Sequence, residues 1–408
     1  MSTQKVCIFT ETYFPVVGGG ETQARLLAEG LAASGFGVIV ITRRSDPSLA
    51  RVERYGDVTV YRLSPAGRQH LKKWGLLLSS LPALFRLRGQ YDLILVSGFR
   101  VIGMAAVLMS KLLRKKCLLK ADNNGEMSGE FFRGGLEKSG WSASAPWFKI
   151  VLKLRDPLLR GADGFIAISS QIAKEFSASG VRPASKIHRI PNSVDTTLFR
   201  PASRQEKSEL RQRLGIPPKD VLVIYTGRLV SYKGLPLLVQ VWEQLHQVHP
   251  YAALILVGGG SADIYNCEAW LKDYVRSHGL EESVSFVGEV RNVHEYLQAA
   301  DIFAFPTEKE AFGISVIEAM ACGLPVVATP VGGLVDVLAD GQNGLLVRPG
   351  DGQGLFQALE ALISDRSRAE SLGRAALQTS RERYRVETVT GSYIQLFNNL
   401  CVEKASPG

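Results

Sequence analysis

Short runs of consecutive apolar residues recur along this chain. Between them lie glycine-rich loops and segments whose apolar positions return every three or four residues. Val6–Thr10 is the first run, followed by the loop PVVGGGET, a helical pattern over Thr22–Ser34 that Gly35 ends, and a second run at Val38–Thr42. A run without polar alternation suits a strand covered on both faces, and strand, Gly-rich loop, helix and strand make a βαβ unit. Further strands are expected at Val58–Leu63, Leu93–Val96, Cys117–Lys120 and Gly164–Ile168. The plan then repeats: strand Val221–Tyr225, loop TGRLVSYKG, helix Leu235–His249, and strands at Ala253–Val257, Val284–Val287, Ile302–Phe305 and Pro325–Ala328. The pattern predicts two α/β halves with doubly wound parallel sheets, because one sheet of a dozen strands is the rarer solution. PNSVDTTLFRP, where Pro191 and Pro201 bracket a polar segment, marks the boundary, giving expected domains of 1–195 and 196–384. The longest stretch without periodicity is Asn123–Pro146, which reads as a functional lid or a disordered loop.

Composition narrows the class. At 408 residues with 46% hydrophobic and 21% charged positions, the chain can bury ample core. Its longest apolar runs, such as Leu76–Phe85 and Val101–Ser110, are too short to span a bilayer, and Lys5–Thr10 enters a strand directly where a secretory signal would lie. A cytoplasmic location is the expectation. Cysteines 7, 117, 267, 322 and 401 are scattered with no C-x-x-C pair, so they read as small buried hydrophobes and not as disulfides or zinc ligands. The net charge of +9 is uneven: residues 1–200 carry 29 Lys and Arg against 15 Asp and Glu, the remainder 19 against 24. A basic half joined to a mildly acidic one suggests two domains facing different partners.

Ligands of open α/β sheets bind beyond the carboxyl ends of the strands, where helix N-termini offer free N–H groups. Three loops of the second half reach that edge: Gly227–Gly234, Gly258–Ser261 and Thr307–Gly313. Arg228 and Lys233, flanked by Gly227 and Gly234, suit a diphosphate, although two solvated surface charges would leave the same pattern. The stretch EAFGISVIEAMACGLPVVAT places Glu310 before a helix expected over Gly313–Ala321 and Glu318 about a turn into it. Both carboxylates would face one crevice and accept hydroxyls, and the helix dipole would favour the ionised form of a Glu lying near the N-terminus. A capping Glu310 and a salt-bridged Glu318 are the competing reading. His246 and His249, three apart on one helix with no third ligand nearby, read as a solvated face.

E-A-F-G-I-S-V-I-E resembles the E-x7-E signature of the retaining family 4 glycosyltransferases, and AMACGLPVVAT continues the likeness. PVVGGGE, IPNSVDTTLF, GRLVSYKG, LILVGGG and DGQNGLLV match further family motifs, so the resemblance covers nearly the whole chain. It implies a GT-B fold, two Rossmann-like domains facing each other across a cleft, with a C-terminal helix (about 385–408) packing back onto the first domain. By the same resemblance Arg228 and Lys233 would bind the donor diphosphate, helped by the glycine triple at Gly259. Glu318 would hold the ribose hydroxyls, and Glu310 the transferred sugar beside the amides of Gly313 and Ile314. Gly19 would approach the phosphate from the first domain. The implied reaction moves a sugar from a nucleoside-diphosphate sugar, of UDP or GDP type, to an acceptor hydroxyl. No D-x-D occurs in the chain, so fixed cations, not a metal, would stabilise the leaving diphosphate, and no cofactor is expected.

The chain departs from the family where many members carry a histidine after the strand equivalent to Cys117–Lys120. Here the sequence is Ala121-Asp122-Asn123-Asn124-Gly125, so Asp122 or a neighbouring Asn takes that contact, or Asp122 merely holds a turn. Ser193 stands where glycine is usual. Arg68–Gly89, cationic at both ends and apolar between with Trp74, and the cluster Lys111, Arg114, Lys115, Lys116 and Lys120 suit an anionic membrane surface and a sugar or lipid-linked acceptor; an ordinary solvated face is the alternative. No nucleic-acid motif accompanies the positive charge. Three rival classes remain at this level: a nucleotide-sugar epimerase of related fold, a non-catalytic sugar-nucleotide-binding protein, and a dinucleotide oxidoreductase, the last disfavoured because GGGET lacks G-x-G-x-x-G spacing.

Overall fold

A computed structural model of the chain describes residues 4–67, 71–130, 146–216, 221–260 and 263–402; the side chains of 71–74, 146–152 and 401–402 are outside that description. The chain divides into two units. One holds the residues up to Asn192 together with the helix that begins at Val386, and the other is Ser193–Arg385. The division falls inside the segment bracketed by Pro191 and Pro201.

In unit 1 the strands are β1 (Lys5–Thr10), β2 (Gly37–Arg43), β3 (Val52–Tyr55), β4 (Val58–Leu63), β5 (Leu93–Ser97), β6 (Lys116–Ala121), β7 (Gly164–Ala167) and β8 (Ile187–Arg189). Its helices are α1 (Gly19–Ala33), α2 (Leu71–Arg86), α3 (Ile102–Leu113), α4 (Pro146–Arg160) and α5 (Ser170–Ala178). The strands form one sheet in the order β3-β4-β2-β1-β5-β6-β7-β8. All pair in parallel except β3, which runs antiparallel to β4. In unit 2 the helices are α6 (Arg204–Arg213), α7 (Leu235–Val248), α8 (Glu268–Ser277), α9 (Val293–Ala299), α10 (Ile314–Ala321), α11 (Leu334–Val337), α12 (Gly352–Ser364) and α13 (Arg366–Arg383). Its strands β9 (Val221–Thr226), β10 (Ala252–Val257), β11 (Val284–Gly288), β12 (Ile302–Phe305), β13 (Val326–Ala328) and β14 (Leu345–Leu346) make a parallel sheet ordered β11-β10-β9-β12-β13-β14. In both sheets the order reverses beside the first strand, between β1 and β5 and between β9 and β12, which is where doubly wound folds bind ligands.

Central strands are apolar throughout because helices cover both faces: every residue of β5 and of β10 is buried. The chain's last helix, α14 (Val386–Val402), packs against α1 and belongs to the core of unit 1. Its Val389, Tyr393, Leu396 and Phe397 are buried among Val6, Leu27 and Val38. Burying four such side chains contributes on the order of 6–12 kcal/mol of apolar transfer energy, which fixes the helix to this unit. The sheets are larger than the apolar runs imply. The edge strand β3, with sequence VERY, alternates exposed and half-buried positions, and β14 has only two residues, so neither leaves a run to read. The four described cysteines are free and buried; Cys401 lies outside the described side chains. His249 corrects the solvated-face reading: it is buried, with Nδ1 2.9 Å from the Tyr251 hydroxyl. Of the aperiodic loop Asn123–Pro146, residues 131–145 lie outside the described residues.

Candidate functional site

At the switch point of unit 2, the loop after β9 and the loop after β12 are tied together by backbone. Tyr232's carbonyl accepts hydrogen bonds from the Glu308 amide (2.8 Å) and the Thr307 hydroxyl (3.2 Å). That registration brings Lys233 to Glu310, with Nζ 2.7 Å from Oε2, in a pair whose side chains are only 12% and 16% exposed. The other carboxylate oxygen of Glu310 accepts the amides of Ala311 (2.9 Å) and Phe312 (3.3 Å). The loop is held from behind by Gly332, whose φ is 59° and where a Cβ would lie 1.6 Å from the Glu310 carbonyl oxygen. Only glycine fits such an approach in a left-handed conformation. Lys233 also lies over the Phe305 ring, 5.0 Å from its centroid.

Arg228 does not stand ready as an unpaired cation. Its guanidinium donates to Asp263 Oδ2 and to the Tyr232 hydroxyl, each at 2.7 Å, and the side chain is 56% exposed. The Tyr232 ring nevertheless has Arg228 on one approach (5.9 Å) and Lys233 on another (5.8 Å), so both cations border one ring. Gly259 sits beside them, its carbonyl accepting the amide of Leu229 (3.0 Å). Ser261 lies outside the described residues.

Gly313 caps α10 with φ 101°, and the amides of Gly313, Ile314 and Ser315 have no acceptor among the described residues. They are the free donors that every helix start leaves. Glu318 lies in the second turn of α10, beside the buried Ile317 and Ala321. Its carboxylate has no hydrogen bond or ion pair among the described residues, which removes the salt-bridged alternative. The dipole does not keep it ionised either. Some of its surface remains accessible, yet the surrounding protein is dense enough that burial pushes its pKa up to about 8. Loss of hydration outweighs a dipole whose effect fades after the first turn. Lys233 and Glu310 form an ion pair, and Glu318, on the following helix, has no hydrogen bond or ion pair with Glu310, Lys233 or Arg228.

A second polar cluster lies at the switch point of unit 1. Asp122 follows β6, its Oδ2 accepting the Ser97 hydroxyl (2.8 Å) and its Oδ1 paired with the buried Lys120. Asp122 therefore does not hold the Gly125 turn, whose amide donates instead to Glu175 (2.7 Å). Gly19 opens α1, and a Cβ at the next residue, Gly20, would be 3.6 Å from Asp122 Oδ2. The first turn of α1 and Asp122 thus share one sheet edge. Close by, Glu126 is fully buried, 3.4 Å from Arg100 Nε; burial raises its pKa to about 7 against the opposing pull of Arg100. Glu175 also accepts the amides of Met127 and Ser128, both at 3.1 Å. From the other side Arg155 donates to the carbonyls of Arg100, Glu126 and Met127.

The sequence offered no signal for Asp263 or Glu126, because their partners come from other loops. The consecutive glycines at 332 and 333 were a visible signal for a close backbone approach. The basic cluster of unit 1 is also reduced. Lys115 donates to the Tyr91 carbonyl (2.7 Å) and lies 3.6 Å from Asp92, Lys116 lies 3.5 Å from Asp163, and Lys120 is buried on Asp122. Of the segment Arg68–Gly89, residues 68–70 and the side chains of 71–74, Trp74 included, lie outside the described part. Among the described residues no group of three or more His, Cys, Asp or Glu side chains is arranged to hold a metal ion.

Comparison with known proteins bears on both units. A family model described as glycosyl transferases group 1 matches residues 206–379, and one described as glycosyl transferase 4-like domain matches residues 18–193. D-inositol 3-phosphate glycosyltransferase of Stackebrandtia nassauensis is 35% identical over 47% of this chain and 44% of its own. The first curated relatives of this kind are matched over about half their own length. The protein of the same name from an Arthrobacter species is 29% identical over 88% of this chain and 85% of its own. Among solved structures, sucrose-phosphate synthase from Thermosynechococcus elongatus aligns with a TM-score of 0.76 at 25% identity, covering 98% of this chain and 100% of that one.

Proposed function

This chain is of the glycosyltransferase GT-B type, a 4-like domain followed by a group 1 domain, and from that premise we propose that it moves a sugar from a nucleoside-diphosphate sugar to an acceptor hydroxyl with retention of configuration. The observation that carries the reading is the Lys233–Glu310 pair at the unit 2 switch point, next to the free amides that open α10. A diphosphate arriving there exchanges one counter-ion for another: Lys233 turns from the carboxylate to the phosphate oxygens, and Glu310 becomes free to accept sugar hydroxyls. Gly313 and Ile314 donate from the helix start, and Arg228 adds a second charge by leaving Asp263. Glu318, half-buried and without a partner among the described residues, takes the ribose diol of a UDP- or GDP-type donor. The leaving diphosphate gains charge as its bond to the sugar breaks, and cations fixed on a rigid sheet edge stabilise that charge without reorganising. With no D-x-D in the sequence, we assign that task to Lys233 and Arg228 and not to a metal.

In unit 1 we assign Asp122, with Gly20 beside it, to the acceptor side, for an acceptor of the polysaccharide, lipopolysaccharide or glycolipid class. The resemblance of E-x7-E to retaining enzymes supports retention, and the pairing of Lys233 with Glu310 argues for a donor site over a general acid and base couple. Incubation with a panel of UDP- and GDP-sugars, reading nucleoside diphosphate released with and without candidate acceptors, tests the proposal. One donor class should turn over and depend on acceptor. Release of a free epimerised sugar without acceptor, or binding with no turnover of any donor, would replace this reading by one of its rivals.

A further inference from the structure

Unit 1 carries a feature that donor chemistry does not use. Helices α2, α3 and α4 lie side by side, α2 against α3 and α3 against α4. Their inner faces are ordinary core: Leu76 and Leu84 on α2, Ala105 and Met109 on α3, Leu159 on α4. Their outer faces are not wholly polar. Leu78 is 71% exposed and Phe85 48% on α2, Leu108 49% and Leu112 68% on α3, and Leu154 71% on α4. Spacings of seven on α2 and four on α3 put each pair on one side of its helix. These are five of the fourteen large hydrophobic side chains that stand exposed among the described residues, gathered on three neighbouring helices. Single exposed leucines mean nothing, but a contiguous set rimmed by charge marks an interaction surface.

The charge on these helices is nearly all of one sign. Over the three ranges the sequence places eight Lys and Arg against a single acid, Asp156, whose carboxylate is 2.8 Å from Arg155. Arg86, Lys111 and Lys153 are exposed beside the apolar positions, and Arg88 lies over the Phe85 ring at 4.4 Å. Lys111 lies 4.0 Å from its nearest acid among the described residues, Asp163. A second copy of this face would set cations against cations, so self-association is opposed by its own charge. Apolar side chains that can enter an acyl boundary, with cations at headgroup level, fit an anionic bilayer. Among the described residues no helix is long and apolar enough to cross a membrane.

We propose that the outer face of α2, α3 and α4 is a docking surface for an anionic lipid bilayer. Its elements differ from the five-residue basic cluster the sequence suggests: Lys115, Lys116 and Lys120 are held by other groups, and the surface depends as much on Leu78, Leu112 and Leu154 as on charge. The test is sedimentation of the full chain with vesicles of phosphatidylcholine alone, and with vesicles in which about a third of the lipid is phosphatidylglycerol. The chain should bind the anionic vesicles and not the neutral ones. Leu78→Glu with Leu112→Glu, and separately Arg86→Glu with Lys111→Glu, should each lower binding by about tenfold or more. Because these side chains are exposed, the thermal midpoint should stay unchanged. Failure of the native chain to sediment with anionic vesicles, or variants that sediment as well as it does, would overturn the proposal. A concentration-dependent dimer abolished by the leucine variant would overturn it in favour of self-association.

Discussion

Replacing Glu318 by glutamine tests the enclosed carboxylate through stability, before any substrate is known. Burial raises its pKa from 4.5 to about 8 in the folded protein, with no partner among the described residues to offset the cost. Between those two values the folded state holds a proton that the unfolded chain has released. Stability therefore falls as pH rises through this window, by about 1.4 kcal/mol per unit, and levels off above about pH 8. Over the whole window the loss is on the order of 5 kcal/mol, an upper figure because relaxation and water entry reduce it. The glutamine side chain cannot ionise, so the Glu318→Gln variant avoids the loss. Urea unfolding of both proteins at about pH 5, 7 and 9 isolates this group, because every other titration is shared between them. The variant should match the native protein within about 1 kcal/mol at the lowest pH and exceed it by about 3–5 kcal/mol at the highest. A difference that does not grow with pH, or a variant less stable at high pH, would refute the assignment of a desolvated carboxylate without a partner.

Lys233→Ala should abolish turnover and lower stability by about 1–3 kcal/mol, since it leaves Glu310 partly buried without its cation; pairing it with Glu310→Gln should recover much of the stability and none of the activity, as donor turnover and urea midpoints would show. Gly332→Ala forces a side chain into the Glu310 carbonyl at a positive φ and should cost roughly 2–4 kcal/mol by the same unfolding assay, whereas an effect under about 0.5 kcal/mol would mean that the two loops do not abut. Glu175→Ala removes the acceptor of three amides in the loop after Asp122; proteolysis near residues 123–128 should accelerate, while nucleotide binding by unit 2 stays unchanged. Turnover should persist in excess EDTA if Lys233 and Arg228 supply the charge, and a requirement for added divalent cation would show that they do not.

Much of the scaffold could be read because covered parallel strands need apolar runs: β1, β2, β5, β10 and β12 announce themselves without any contact being known. Edges are harder. β3 is polar on its open side, and β8 and β14 are too short to carry a period. The candidate site divides in the same way. Glycine-rich turns placed Lys233 and Glu310 at one sheet edge, because turn chemistry is local. That the two would pair, that Asp263 would take Arg228, and that Glu318 would face no partner depend on residues about 30–80 positions apart, where spacing carries no information. The helix dipole reaches only a Glu near the helix start; Glu318 lies in the second turn, where desolvation, which only the packed structure reveals, raises its pKa. Asp122 is similar: the sequence left it between a turn and a contact residue, and its pairing with Ser97 and Lys120, from β5 and β6, settles that it is not the turn's anchor.

The most direct test of the donor site is a calorimetric titration with UDP, GDP and inorganic pyrophosphate of the native chain, Lys233→Ala and Glu318→Gln. If Lys233 holds the diphosphate and Glu318 the ribose, Lys233→Ala weakens all three ligands. Glu318→Gln weakens only the preferred nucleotide, by roughly tenfold to a hundredfold, and leaves pyrophosphate untouched. Native-like affinity for the nucleotides in both variants would contradict the account and place the donor elsewhere.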